Sequence, residues 1–272
     1  MEFFEKPMRI LFIVTLFAFS AGCVPASTPI LRPTPFALAT VPEGCSTPGE
    51  VIIGEFPQPV RGYDYEYRIY LPPCYSVEIS AAYPILYLIP GRSSSPDSWL
   101  NAGLPEEIDR LILSEQVPPL IIVTTENTDT DPMAETIYEE LIPFIESQYP
   151  IPNTRRYRAV AGGSLGGIAA YRLAFQHPDT FSSAGIFGAG AISGEEPQIQ
   201  SWLAQMDDTN RTRVFMNSGE GDPLMLERAR VMKSILDEAG VENELYVDEG
   251  EHAYTYWVAN FERYLKWLAK EW

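Results

Sequence analysis

The chain has 272 residues, 46% of them apolar, and carries 37 acidic against 19 basic side chains for a net charge of −18. That apolar share supports a full core and excludes general disorder, and the length suits one large α/β domain with short appendages. The acidity excludes a nucleic-acid partner, because phosphate contacts need clustered Lys and Arg. It equally excludes electrostatic docking on anionic lipid, and reads as a solubility feature.

At the N-terminus, Lys6 and Arg9 precede an apolar run from Ile10 to Ala21. The run is too short to span a bilayer and suits the core of a signal peptide. Ser20-Ala21-Gly22-Cys23 resembles a bacterial lipobox, with Ser20 where Leu is usual and acidic Glu2 and Glu5 upstream. Residues 1–22 are therefore read as a lipoprotein signal peptide and Cys23 as the lipidation site. The protein would then be extracytoplasmic and held at the membrane by a lipid anchor. An ordinary secretory signal or an uncleaved anchor gives the same side of the membrane. Residues 23–48, rich in Pro and Thr, are expected to form a tether.

Residues 49–272 read as one domain. Candidate strands Val51 to Gly54 and Tyr65 to Leu71 would pair antiparallel around the turn Pro57 to Gly62. Cys45 and Cys74 would then sit at the same open end, and an oxidising compartment predicts a disulfide between them. Further strands are expected at Pro84 to Ile89, Leu120 to Thr124, Tyr157 to Ala161, Phe181 to Phe187, Arg213 to Met216 and Glu244 to Val247. Helical spacing appears at Pro105 to Ser114, Ala134 to Tyr149, Ile168 to Gln176, Pro197 to Met206, Leu224 to Ala239 and Tyr254 to Ala269. This alternation predicts an α/β fold: a predominantly parallel sheet with helices on both faces, plus the antiparallel N-terminal pair.

The chemistry centres on Gly162-Gly163-Ser164-Leu165-Gly166-Gly167, between a strand and a helix. A strand–turn–helix G-x-S-x-G is the context of a nucleophile elbow, where small neighbours tolerate a strained Ser backbone. A Walker loop would need a Lys before the Ser or Thr, and a Rossmann fingerprint would need G-x-G-x-x-G; neither fits. Ser is a weak nucleophile without a base. The chain has two histidines. His177 falls at the far end of the helix that leaves the elbow, out of reach of Ser164. His252 follows the last strand, at the sheet edge where open α/β sheets carry their sites. The acid is expected in Asn217 to Pro223, with Asp222 preferred over Glu220. Two backbone N–H donors should hold the tetrahedral oxyanion: Leu165 after the nucleophile, and Arg92 or Gly91 from the loop after Pro84 to Ile89, with Arg92 preferred. The Arg92 side chain is a candidate contact to a polar substrate group, and Trp99, Tyr254 and Trp257 are candidate pocket aromatics.

Several stretches carry a resemblance: Arg68-Ile-Tyr-Leu-Pro72, Tyr83 to Gly91 with Trp99 beyond, Glu140-Leu-Ile-Pro143, Ala161 to Gly167, Gly219-Glu-Gly-Asp222 and Gly250-Glu-His252 with Tyr256-Trp257. Over roughly residues 60 to 270 the chain resembles the esterase D family of the α/β-hydrolase superfamily, which includes enterochelin, feruloyl and acetyl xylan esterases, S-formylglutathione hydrolases and mycolyltransferases. The resemblance places the family's Ser, acid and His on Ser164, Asp222 and His252. It implies an α/β-hydrolase fold and hydrolysis of a carboxylic ester through an acyl-enzyme, with no metal or cofactor. Suitable substrates are small-molecule or polysaccharide esters, siderophore esters among them. Pro90-Gly91 departs from the family's frequent His-Gly, and Gly-Glu-His from the commoner Gly-Gly-His. Two other readings share these residues: an acyltransferase of the mycolyltransferase type, and a non-catalytic binding lipoprotein.

Overall fold

The computed structural model of the chain describes residues 36–56, 64–77, 81–127 and 133–272. The signal segment, Cys23 and the turn from Pro57 to Gly62 lie outside these residues. The domain is organised by an eight-stranded sheet. β2 (Glu50–Phe56) and β3 (Tyr65–Leu71) pair antiparallel, with Glu50 opposite Leu71 and Phe56 opposite Tyr65. β3 is also antiparallel to β6 (Ile121–Thr125). From there β6, β5 (Ile85–Ile89), β7 (Arg158–Gly163), β8 (Ser183–Phe187), β9 (Arg213–Gly219) and β10 (Asn243–Asp248) run parallel in that spatial order. Crossovers between non-consecutive strands bring the ends of β5 and β7 side by side, and the chemistry-bearing loops leave from there.

The apolar runs form central strands because both faces are covered. Along β5, alternate residues enter different cores. Ile85, Tyr87 and Ile89 join the core shared with α4 (Leu165–Gln176). Leu86 and Leu88 join the core shared with α1 (Leu104–Leu113) and α8 (Phe261–Ala269). These interiors belong to an α/β-hydrolase fold, as the strand order shows.

Three stretches differ from expectation. The C-terminal helix is two helices, α7 (Tyr254–Ala259) and α8, separated at Asn260. The helix expected over Ala134 to Tyr149 is α2 (Met133–Thr136), a π turn at Ile137–Leu141 and α3 (Ile142–Glu146). Pro143 has no amide to continue an α-helical ladder, and the wide turn immediately precedes it. The tether is shorter than its composition suggests. β1 (Ala37–Leu38) pairs with β4 (Ala81–Ala82), and Ala39, only 6% exposed, donates its amide to the Ala82 carbonyl. The compact unit thus begins at Phe36 rather than at residue 49. The prolines bar helix there, but they permit an extended strand to lie on the domain. Cys45, just beyond, is bonded to Cys74 with a Cα–Cα distance of 6.0 Å. α5 (Glu196–Leu203) and α6 (Pro223–Glu238) complete the cover.

Candidate active site

Ser164 stands between β7 and α4 with φ 54° and ψ −121°. That backbone lies outside the regions L-residues favour, and such strain persists only where surroundings enforce it. The Ser164 amide donates to the Phe187 carbonyl at 2.8 Å, and the Ser164 carbonyl accepts from Gly167 at 3.0 Å. Gly162 and Gly166 face each other so closely that a Cβ on either would run into backbone of the other or of Ile89 and Pro90. The turn therefore needs glycine at both places. α4 begins at Leu165, three residues earlier than its apolar spacing predicts. The Leu165 amide thus belongs to the first turn, whose N–H groups have no intrahelical acceptor. The positive end of the helix dipole points at Ser164.

His252 follows β10, and its Nδ1 lies 2.5 Å from Asp222 Oδ2. Asp222 caps α6 after β9. The rival Glu220 is exposed, and its amide is tied to the Asp248 carbonyl. With Nδ1 donating to Asp222, Nε2 is the unprotonated nitrogen of neutral His252. The ring meets Trp257 edge-on, centroids 5.1 Å apart. Trp257 also packs against Gly163, where any side chain would collide with its six-membered ring. Gly188, at φ 52°, completes the seat: a Cβ there would lie 2.7 Å from Trp257 Cζ2 and 3.1 Å from His252 Nδ1. Ser164 is hydrogen-bonded to Phe187, the residue before Gly188. The elbow, Trp257, Gly188 and His252 therefore form one continuous packed group. His177 is elsewhere: it ends α4, stacks on Tyr138 at 3.5 Å, and burial pushes its pKa below the ordinary imidazole value.

The His252 segment is anchored from below. Tyr256 donates its hydroxyl to Asp248 and accepts from Asn217 Nδ2 at 3.0 Å. Burial and the Asp248 carboxylate raise the Tyr256 pKa, so it stays protonated as a donor. The loop after β5 is fixed from three sides. Asn127 Nδ2 donates to the Pro90 carbonyl at 2.7 Å, and Thr124 Oγ1 donates to the Pro96 carbonyl at 2.7 Å. Arg68 grips Asp97 with Nε and Nη2 at 2.8 and 2.9 Å. This loop lies against Ser164: a Cβ on Gly91 would be 3.5 Å from Ser164 Cβ. The Gly91 amide, however, donates to the Tyr254 hydroxyl at 2.6 Å. Of the two loop amides considered from sequence, Gly91 thus already has an internal acceptor.

Two of the pocket aromatics differ from expectation. Trp99 is 0% and Trp257 2% exposed. Trp99 is enclosed by Phe187, Tyr254, Trp257 and Phe261, so both indoles support the site from beneath and do not line an open pocket. Tyr254 is half-buried and Arg92 is exposed. Sequence reasoning missed Asn127, Gly188, and the Tyr256–Asp248 pair. A single Gly ending a buried strand was the only available signal, and it pointed at Gly188 without saying why.

The family model described as "Putative esterase" matches residues 60–268. The chain belongs to this esterase family. A curated relative, the endo-1,4-beta-xylanase/feruloyl esterase of Xylanibacter ruminicola, is 26% identical over 220 residues, which cover 75% of this chain and 29% of that protein. The esterase chain thus spans less than a third of that relative's length. Among solved structures, a ferulic acid esterase superposes with a TM-score of 0.72 at 22% identity, covering 83% of this chain and 100% of the other. A mutant feruloyl esterase module from Clostridium thermocellum, complexed with sinapinate, gives 0.71 at 18% identity over 86% and 94%. At these identities the structural likeness speaks for the fold.

Proposed function

We propose that the esterase works as a serine hydrolase through an acyl-enzyme, with Ser164 as nucleophile, His252 as base and Asp222 as its orienting acid. The observation that carries this reading is the His252–Asp222 hydrogen bond, packed through Trp257 and Gly188 against a strained serine at a helix start. In the forward step, Ser164 Oγ bonds to the ester carbonyl carbon while its proton passes to His252 Nε2. The carbonyl electron pair moves onto oxygen, where the Leu165 and Arg92 amides are the expected donors. Collapse expels the alcohol, which takes the proton from His252. Water then repeats the sequence on the acyl-enzyme. Asp222 holds the imidazole and stabilises its cation without taking the proton.

The proposed substrates are acyl esters of polysaccharide; the names of the relatives support a feruloyl group. The proposed location is extracytoplasmic, on a lipid at Cys23. The Cys45–Cys74 bond supports an oxidising compartment. Turnover of p-nitrophenyl acetate, methyl ferulate, a catecholate ester and S-formylglutathione by the full chain tests this reading. Methyl ferulate or the acetate should give the highest kcat/KM. Preference for the glutathione thioester would overturn the substrate and compartment readings together.

A further inference from the structure

A hydrogen bond from the Gly91 amide to the Tyr254 hydroxyl at 2.6 Å joins the loop after β5 to the His252 segment. The bond uses one lone pair of the hydroxyl oxygen, and its own proton still has to be donated. The ring is held in place by Trp99, edge-on at 4.9 Å, and Trp257, edge-on at 5.1 Å. The oxygen lies 3.3 Å from the point that a Cβ on Gly91 would occupy, and Ser164 Cβ lies 3.5 Å from the same point. Tyr254 Oη and Ser164 Cβ therefore both approach the same side of Gly91, beside the proposed nucleophile. A hydroxyl that accepts a hydrogen bond is polarised towards stronger donation.

We propose that the Tyr254 hydroxyl is a further catalytic hydrogen-bond donor to the carbonyl oxygen of the ester as it becomes an oxyanion. It passes on the pull of the Gly91 amide, which it occupies. The proposal rests on the serine-esterase reading above. As the Ser164 Oγ–carbon bond forms, the carbonyl π pair becomes a lone pair on oxygen and the Ser164 proton goes to His252. Tyr254 keeps its proton throughout and only shortens its hydrogen bond. The contribution is made in the transition state, so it belongs to kcat and not to KM.

The test uses full-length Tyr254→Phe, which retains the ring between Trp99 and Trp257 and removes only the hydroxyl. With p-nitrophenyl acetate, kcat should fall about 10- to 100-fold with KM within about twofold. Affinity for a trifluoromethyl ketone, which forms a tetrahedral adduct on serine, should fall by the same factor. The pH profile of kcat/KM should stay as in the wild type, and the melting temperature should fall by no more than a few degrees from the unpaired Gly91 amide. A kcat within about twofold of wild type overturns the proposal. So does a loss of kcat accompanied by a moved pH profile, because Tyr254 would then act only by shaping the His252 segment. Fluorophosphonate labelling of wild-type Ser164 separates the two levels. No label sinks the serine-esterase reading, whereas a label with unchanged Tyr254→Phe turnover sinks only the role of Tyr254.

Discussion

Asp222 Oδ2 lies 2.5 Å from His252 Nδ1, and the imidazole on the other end of that bond is pinned edge-on by Trp257. The pair fixes both the tautomer and the tilt of the His252 ring. Asp222→Asn keeps the shape but turns a donor towards Nδ1, which forces the proton onto Nε2. Turnover of p-nitrophenyl acetate should drop about 10³- to 10⁴-fold with an unchanged melting temperature. Glu220→Gln, at the exposed neighbour, should remain close to wild type. A large loss in the second variant and none in the first would reverse their assignment.

Gly188 is the second support of His252. Its φ of 52° and the short approaches to Trp257 and His252 leave no room for a methyl group. Gly188→Ala should cost about 1 to 3 kcal/mol in stability from backbone strain alone. Activity should fall further than stability, because relief of the clash moves His252. Chemical denaturation and kcat measured on the same preparation check this. A stable variant with full activity would contradict the packing described.

The Cys45–Cys74 bond closes a loop between residues 29 apart in sequence, beside the end of β3 that meets the start of β6, opposite the sheet edge that carries Ser164. Constraining a loop of that size in the unfolded chain is worth about 3 kcal/mol. Cys45→Ser should therefore lower the melting temperature clearly while sparing turnover under mild conditions. Alkylation mass shifts with and without reductant report the bond itself, and equal melting temperatures with and without reductant would contradict its contribution.

Alkaline pH should unfold the protein. Burial raises the pKa of Tyr75 to about 12, and burial likewise raises Tyr67, Tyr87 and Tyr264. Tyr70 and Tyr171 are raised by burial and then by bonds to Asp109 and Glu195. Each folded value lies above the unfolded one, so the stability is fully present below about pH 10 and is lost as the pH climbs through the folded values. Absorbance at 295 nm should show part of the 15 tyrosines ionising only together with unfolding. Smooth titration of all of them in a folded protein would contradict the burial.

Much of this architecture was legible in the sequence because it depends on local pattern. The continuous apolar runs of β5 and β6 and the helical spacing between strands specify a covered parallel sheet. The glycines around Ser164 and the scarcity of histidine single out Ser164 and His252 as the proposed nucleophile and base. What was not legible is non-local. β1 gains its place only by pairing with Ala81–Ala82. The Gly91–Tyr254 bond joins residues 163 apart. Trp99 and Trp257 are near His252 by sequence, yet whether an indole lies over or under its imidazole depends on how α7 crosses the sheet. Residue type alone does not carry that information.

Covalent capture reads out whether Ser164 is the activated nucleophile. A fluorophosphonate probe on the full chain, followed by peptide mass spectrometry, should place one adduct on Ser164. Ser164→Ala should abolish both the adduct and p-nitrophenyl acetate turnover while leaving the melting temperature in place. An adduct on another residue, or turnover that survives in Ser164→Ala, would mean that Ser164 is not the nucleophile.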